Sequence, residues 1–171
     1  MCTEEGRRNP SFFLHDIARK LPVDFIVAGA FYCQNCIERK EYDMAFIEYN
    51  PNPVGRRVGD CSVRAIAKAL KVDWETAYVV LTMNGFSMGD MPSSDSVWGA
   101  VLRKHGFYRK SIPDSCPDCY TAEDFCRDHP KGTFVLGFGG HVATIHDGDL
   151  FDSWDSSSES PQFYWHEKGE E

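Results

Sequence analysis

Cys61 stands where a helix is expected to begin, and this position favours a reactive thiol. Asp60 precedes it, and an apolar helical pattern follows it. Unpaired backbone N–H groups in the first turn of a helix carry partial positive charge, which favours the thiolate over the thiol. His141 follows two glycines at the start of a predicted strand, where an imidazole can accept the thiol proton. The two residues together predict a cysteine nucleophile with a histidine base.

The position of Cys61 within its helix favours a functional thiol over a core residue. One apolar stripe follows the spacing i, i+3, i+4 and i+7, formed by Val63, Ile66, Ala67 and Leu70. This spacing predicts an α-helix with one buried face. At about 100° per residue, Cys61 lies near the side opposite the stripe. A free cysteine that only fills the core would share the stripe.

Two Cys-x-x-Cys pairs form a second candidate site, Cys33 with Cys36 and Cys116 with Cys119. Their pairwise spacing is typical of a four-cysteine zinc site. The gap between the pairs is far wider than in a zinc ribbon, and the second pair also flanks a Pro-Asp turn. A structural zinc at these cysteines is therefore the alternative to thiol catalysis, which itself requires no cofactor.

The composition argues against several classes of partner. The 171 residues carry a formal charge of −8 and an isoelectric point near 5.2, whereas nucleic acids and anionic membranes bind clustered Lys and Arg. No apolar run approaches the roughly 18 residues of a membrane span, and acidic residues stand where a secretory signal would carry basic ones. Seven cysteines without an export signal favour reduced thiols. We expect a cytoplasmic protein that binds a peptide or protein substrate, with no nucleic acid and no membrane as partner.

The pattern of the chain changes before Met44. Residues 1–43 are interpreted as an N-terminal extension whose fold the sequence does not define, and residues 44–171 as a self-contained domain. Four helices are predicted, starting at Cys61, after Asp73, after Ser94 or Ser96, and at Thr121. The second of these helices is predicted to end near Asn84-Gly85. Strands are predicted at 45–49, 133–138, 141–146, 150–154 and 162–165. Helices followed by antiparallel strands predict an α+β fold with helices packed on an antiparallel sheet.

The order of a cysteine at a helix N-terminus, a histidine on a strand and an Asp on the next strand resembles the papain-like cysteine peptidases and their NlpC/P60-type relatives. Asp152-Ser153-Trp154 is similar to the Asn-Ser-Trp segment that orients the histidine in papain-like enzymes. A closer likeness spans about residues 44–165 and includes the motifs at 59–66, 91–94 and 116–119. It is to small proteins of Gram-positive bacteria and their prophages that have no settled substrate and look like members of the papain fold.

The resemblance implies that Cys61 is the nucleophile, His141 the general base and then acid, and Asp152 the group that holds the imidazole. Strand parity supports the last role independently. Asp147-Gly148 is a two-residue hairpin signal, and such a turn places Asp152 on the same face as His141, one diagonal step away. A three-residue loop would instead place His141 opposite Asp155, which stays the reserve candidate.

The chain departs from the family pattern at the oxyanion hole. Papain-like enzymes use a Gln a few residues before the cysteine, and residues 54–57 contain none. The backbone N–H of Cys61 can supply one donor, and Asn52 or Asn50 the second if the proline-bounded loop folds over the site.

The resulting prediction is a cysteine-dependent hydrolase that cleaves an amide bond, by default a peptide bond, through a Cys-His-Asp triad and an acyl-enzyme. An amidase or acyltransferase on the same fold would use the same residues, because the fold and the triad specify the intermediate rather than the acceptor. The alternative from another class is a catalytically silent, zinc-stabilised module that binds a protein partner.

Overall fold

The structure, a computed structural model, describes residues 44–113 and 119–169. These residues form four α-helices and six β-strands. In chain order they are β1 (Phe46–Glu48), α1 (Cys61–Leu70), α2 (Trp74–Met88), α3 (Asp95–Lys104), β2 (Phe107–Ser111), α4 (Ala122–Asp128), β3 (Thr133–Gly137), β4 (Val142–His146), β5 (Asp149–Asp152) and β6 (Phe163–Glu167). Residues 1–43, interpreted above as an N-terminal extension, lie outside the described residues.

The strands form one sheet in the order β1-β5-β4-β3-β6-β2. Neighbouring strands are antiparallel, except that β1 runs parallel to β5. The α+β class is therefore confirmed, but the sheet is mixed rather than antiparallel. The reason is the connection: a short hairpin forces an antiparallel pair, whereas the long chain from β1 to β5, with all four helices on it, allows β1 to enter the edge in parallel.

Both faces of the sheet are covered by helices. Because side chains alternate along a strand, Val135 faces the apolar core formed with α1, α2 and α3, and its neighbours Phe134 and Leu136 face a second core under α4. The first core also receives Trp165 of β6. Among the described residues, no helix is both long and apolar enough to cross a membrane.

The second helix begins as predicted but ends later than predicted. The Asp73 carboxylate caps it by accepting a hydrogen bond of 2.7 Å from the Thr76 N–H. The predicted end at Asn84-Gly85 was wrong, because Gly85 serves close packing: a Cβ there would lie 2.7 Å from the Asp90 carbonyl oxygen. The helix ends at Met88 and is capped by Gly89, which adopts the left-handed conformation with φ of 67°.

The hairpin between β4 and β5 forms as the sequence predicts. Asp147 and Gly148 have positive φ angles of 50° and 83°, as a two-residue type I′ turn requires. His146 consequently pairs with Asp149. This register decides which side chains of the two strands share a face, and it brings the start of β4 beside the end of β5.

Candidate active site

Cys61, His141 and Asp152 meet at one end of the sheet. Cys61 is the first residue of α1, His141 immediately precedes β4, and Asp152 is the last residue of β5. Since β4 and β5 are antiparallel neighbours, the start of one lies beside the end of the other. The structure thus brings together all three residues that the sequence analysis assigned to a triad.

His141 is held by a buried carboxylate. Its Nε2 lies 2.5 Å from Oδ2 of Asp152, whose side chain is only 1% exposed. The hydroxyl of Ser156 donates to the same Oδ2 at 2.7 Å, and the Ser153 N–H donates to Oδ1 at 2.7 Å. The Asp152 carboxylate is therefore fixed in place before it orients the imidazole.

The Cys61 thiol lies close enough to the same imidazole for each group to shift the pKa of the other. Asp152 occupies Nε2 of the ring, so Nδ1 stays open toward other partners. Burial by itself would raise the pKa of the Cys61 thiol. The hydrogen bond and charge of His141, followed by a hydrogen bond from the Val142 N–H and the charge of Arg64, outweigh burial and lower that pKa below its ordinary value.

The imidazole is shifted in the complementary direction. Burial lowers the pKa of His141, but hydrogen bonds to Asp152 and to Cys61, together with the charges of both, outweigh it and raise that pKa to about 9. A lowered thiol pKa and a raised imidazole pKa both favour transfer of the proton from sulfur to nitrogen. The shifts are thus in the direction of a thiolate with an imidazolium, which is the reactive form of a cysteine nucleophile.

The N-terminus of α1 adds to this effect. Asp60 is the N-cap residue, yet its side chain does not cap the helix. Its carboxylate instead forms an ion pair with Arg64 and accepts a hydrogen bond of 2.8 Å from Nε1 of Trp74. The first turn keeps its partial positive charge for the sulfur of Cys61.

Buried charges lie next to the triad, and the sequence did not predict them. Arg64 is only 6% exposed, and besides its pair with Asp60 its Nη2 lies 3.5 Å from Oδ1 of Asp152. The available signal was the Asp-x-x-x-Arg spacing at the start of the helix, which is that of an i,i+4 ion pair. That spacing is common on solvated helix faces, and nothing local showed that this one is buried.

The asparagines proposed for the oxyanion hole are engaged within their own loop. Oδ1 of Asn52 accepts hydrogen bonds from the Val54 N–H at 3.1 Å and the Arg56 N–H at 3.4 Å. The side-chain amide of Asn50 donates to the Arg56 carbonyl oxygen at 3.3 Å. Among the described residues no hydrogen bond joins Asn52 to Cys61, and no side chain caps the backbone N–H groups at the start of α1.

Three further side chains of this region, those of Asp155, His146 and Trp154, have other contacts. Asp155, the reserve choice, is exposed and accepts a hydrogen bond from the backbone of its own loop. His146 accepts or donates at Nδ1 to the Thr133 hydroxyl at 2.9 Å, away from the triad. The ring of Trp154 lies 5.3 Å from that of His141, measured between centroids, and is 46% exposed. Trp154 thus forms a wall of the site.

The predicted zinc site falls largely outside the described residues, since Cys33, Cys36 and Cys116 all do. Cys119 is described and is exposed. Within 44–113 and 119–169, no group of three or more His, Cys, Asp or Glu side chains is arranged to hold a metal ion. The zinc alternative stays a prediction.

Comparison with protein-family models, with curated proteins and with solved structures finds no match to this chain.

Proposed function

We propose that this domain is a thiol hydrolase of papain-like fold that cleaves an amide bond, with a peptide as the simplest substrate. The observation that carries the proposal is the meeting of Cys61, His141 and Asp152 at one end of the sheet, with Nε2 of His141 held 2.5 Å from the buried Asp152 carboxylate. The pKa of the Cys61 thiol is lowered and that of His141 raised, as a paired nucleophile and base require. The order of these residues along the chain, and their places on a helix start and two adjacent strands, support the papain-like assignment.

Acylation follows from the resting ion pair. The Cys61 thiolate attacks the carbonyl carbon of the amide, and the negative charge that develops on the carbonyl oxygen faces the N–H donors at the start of α1. The imidazolium of His141 then gives its proton to the leaving nitrogen as the carbon–nitrogen bond breaks. The products of this half-reaction are a free amine and a thioester on Cys61.

Deacylation reverses the proton transfer. Neutral His141 takes a proton from water, and the resulting hydroxide attacks the thioester carbon. The carbon–sulfur bond breaks, the acid product leaves, and the thiolate and imidazolium are restored. Asp152 holds the His141 ring in the same orientation through both half-reactions, because its own carboxylate is held by the Ser153 N–H and the Ser156 hydroxyl.

An activated substrate tests this chemistry without knowledge of the natural one. The protein is mixed with N-acyl amino-acid nitrophenyl esters, and release of nitrophenol is followed together with the mass of the acylated protein. We expect an acyl adduct mapped to Cys61 that turns over. Cys61→Ala should lower the rate by about 10³-fold or more, the scale on which loss of a nucleophile reduces catalysis.

The matched control is Cys119→Ser, which replaces an exposed cysteine outside the triad and should leave the rate unchanged. His141→Ala should slow both acylation and turnover. Hydrolysis that survives Cys61→Ala, or adducts spread evenly over the cysteines, would contradict the proposal and favour the interaction-module alternative.

A further inference from the structure

Arg64 occupies an unusual position for an arginine. It lies on α1 one turn after Cys61, with neighbours in the helix that are almost all buried, and it is itself only 6% exposed. Removing a guanidinium from water is costly unless its charge and its N–H groups are matched. Nε of Arg64 has no hydrogen-bond partner, so part of this cost is not offset.

Two carboxylates match the charge of Arg64, and they belong to different elements. Asp60 immediately precedes the nucleophile at the N-terminus of α1, and Asp152 ends β5. Arg64 forms an ion pair with each of them. One side chain therefore ties the helix that carries the thiol to the strand that carries the carboxylate of the triad.

The tie also selects which oxygen of Asp152 faces the imidazole. Oδ1 is occupied by Arg64 and by the Ser153 N–H, whereas Oδ2 accepts from Ser156 and meets His141. Without Arg64 the imidazolium would be the principal cation beside a buried carboxylate, and the carboxylate could turn to present both oxygens to it. The ring would then move with the carboxylate, away from its geometry toward the sulfur.

Stability alone is a poor reason for this arrangement. Replacing a buried ion-pair network by apolar side chains of similar volume is often neutral or stabilising, because desolvation offsets the attraction between the charges. A buried arginine between two buried carboxylates therefore needs another benefit, and conformational specificity is the one that its contacts suggest.

We propose that Arg64 is a positioning residue, which bridges Asp60 and Asp152 and so fixes the thiol of Cys61 and the imidazole of His141 in mutual reach. This inference rests on the proposed thiol chemistry and deepens it. Arg64 touches neither reacting atom: its positioning role is exerted through the two carboxylates and is separate from the direct effect of its charge on the thiol.

Arg64→Lys tests this role, because lysine keeps the charge but lacks the planar fork that reaches two carboxylates at once. The measurement is the rate of Cys61 alkylation by iodoacetamide across pH 5–9, with peptide mapping to separate Cys61 from the other cysteines. We expect alkylation at pH 6 to slow by about threefold to tenfold, within the range for interactions lost from a coupled charge network. Arg57→Lys is the matched control: Arg57 is exposed, pairs with Glu48 and should show no change.

A double-mutant cycle with Asp152→Asn separates positioning from a general loss of structure. If Arg64 acts through Asp152, Arg64→Lys should have little further effect on alkylation once Asp152 is replaced. If the two substitutions instead slow alkylation independently, so that their rate effects multiply in the double variant, Arg64 does not act through Asp152 and the proposal is overturned. If thermal unfolding shows that Arg64→Lys does not fold, Asp60→Asn takes its place in the test. Asparagine keeps an oxygen that can accept the Trp74 hydrogen bond but loses the charge that pairs with Arg64. The same slowing of Cys61 alkylation is expected.

The outcomes separate this inference from the proposed function. A parent Cys61 that titrates at its ordinary pKa and ignores His141→Ala would overturn both. A parent thiolate that forms at low pH, with Arg64→Lys or Asp60→Asn indistinguishable from it, would overturn the role of Arg64 alone.

Discussion

Cys61 and Cys126 both lie on helices that pack against the sheet, but on opposite faces and at different points of their helices. Cys61 is the first residue of α1, at the end of the sheet where His141 and Asp152 meet. Cys126 lies inside α4 with no exposed surface, in the apolar core that it shares with Phe134. Burial, followed by the charges of Asp149 and Glu123, raises the pKa of the Cys126 thiol to about 12. The pKa of Cys61 is lowered.

Burial acts in the same direction on both thiols, so burial is not what separates them. The difference is the set of partners: His141, the Val142 N–H and Arg64 lower the pKa of the Cys61 thiol, whereas the carboxylates of Asp149 and Glu123 raise the pKa of the Cys126 thiol. A helix start, with unpaired N–H groups, supplies a place for an anion that the interior of a helix does not. A cysteine nucleophile is thus made by its neighbours, and the comparison can be tested by exchanging or removing them.

The largest predicted difference is in alkylation of the two cysteines in the native protein. At pH 7 a thiol with a pKa near 12 is ionised in only about one molecule in 10⁵, and Cys126 is also shielded from the reagent. We expect iodoacetamide to modify Cys61 at least about 10³-fold faster than Cys126, as measured by peptide mapping over time.

Unfolding the chain in urea is the control for this prediction, because it removes both environments. The two cysteines should then react at similar rates. If Cys126 reacts in the native protein within about tenfold of Cys61, the distinction between the two environments does not hold.

The next effect is the pH dependence of Cys61, which should differ between alkylation and hydrolysis. As the pH falls through the lowered pKa of Cys61, the thiolate is protonated and both rates fall. As the pH rises through about 9, His141 loses the proton that the leaving amine needs, so hydrolysis falls while alkylation continues. Alkylation should therefore show one limb and amide hydrolysis two.

His141→Ala sharpens this result. Without the imidazole, less opposes the effect of burial, which raises the pKa of the Cys61 thiol. The acid limb of Cys61 alkylation should therefore move to higher pH, and the alkylation rate at pH 6 should fall by about tenfold or more relative to the parent. The shift is measured by comparing the alkylation rate of Cys61 as a function of pH in the parent and in the variant. An acid limb that does not move would mean that the imidazole does not activate this thiol.

The sequence predicts the parts of the site that depend on local signals. Asp147-Gly148 specifies a two-residue turn, the turn sets the register of β4 against β5, and the register places Asp152 beside His141. The start of α1 at Cys61 likewise follows from the apolar stripe behind it. Each of these inferences needs only a few neighbouring residues.

Features that depend on distant contacts were missed. The strand β2 has only Phe107 buried and carries Arg109 and Lys110, so it lacks a clear alternating pattern; it exists because it pairs with β6, more than 50 residues later. The parallel pairing of β1 with β5 also joins strands that are far apart in the sequence. Arg64 looks like a solvated charge until β5 covers it.

The smallest predicted effect reverses the roles of the two cysteines. Cys126→Ser places a hydroxyl in an apolar core, where a polar group without a good partner costs about 1–3 kcal/mol. Cys61 is partly buried and packs only at the edge of the core, so Cys61→Ser should lower the free energy of unfolding by less, about 0.5 kcal/mol. Urea unfolding followed by circular dichroism measures both values. The serine that abolishes chemistry should thus leave stability nearly unchanged, and the serine that lowers stability should leave chemistry intact below the unfolding transition. Equal losses of stability would show instead that Cys61 contributes to the core, and its assignment as a residue kept for reactivity would be wrong.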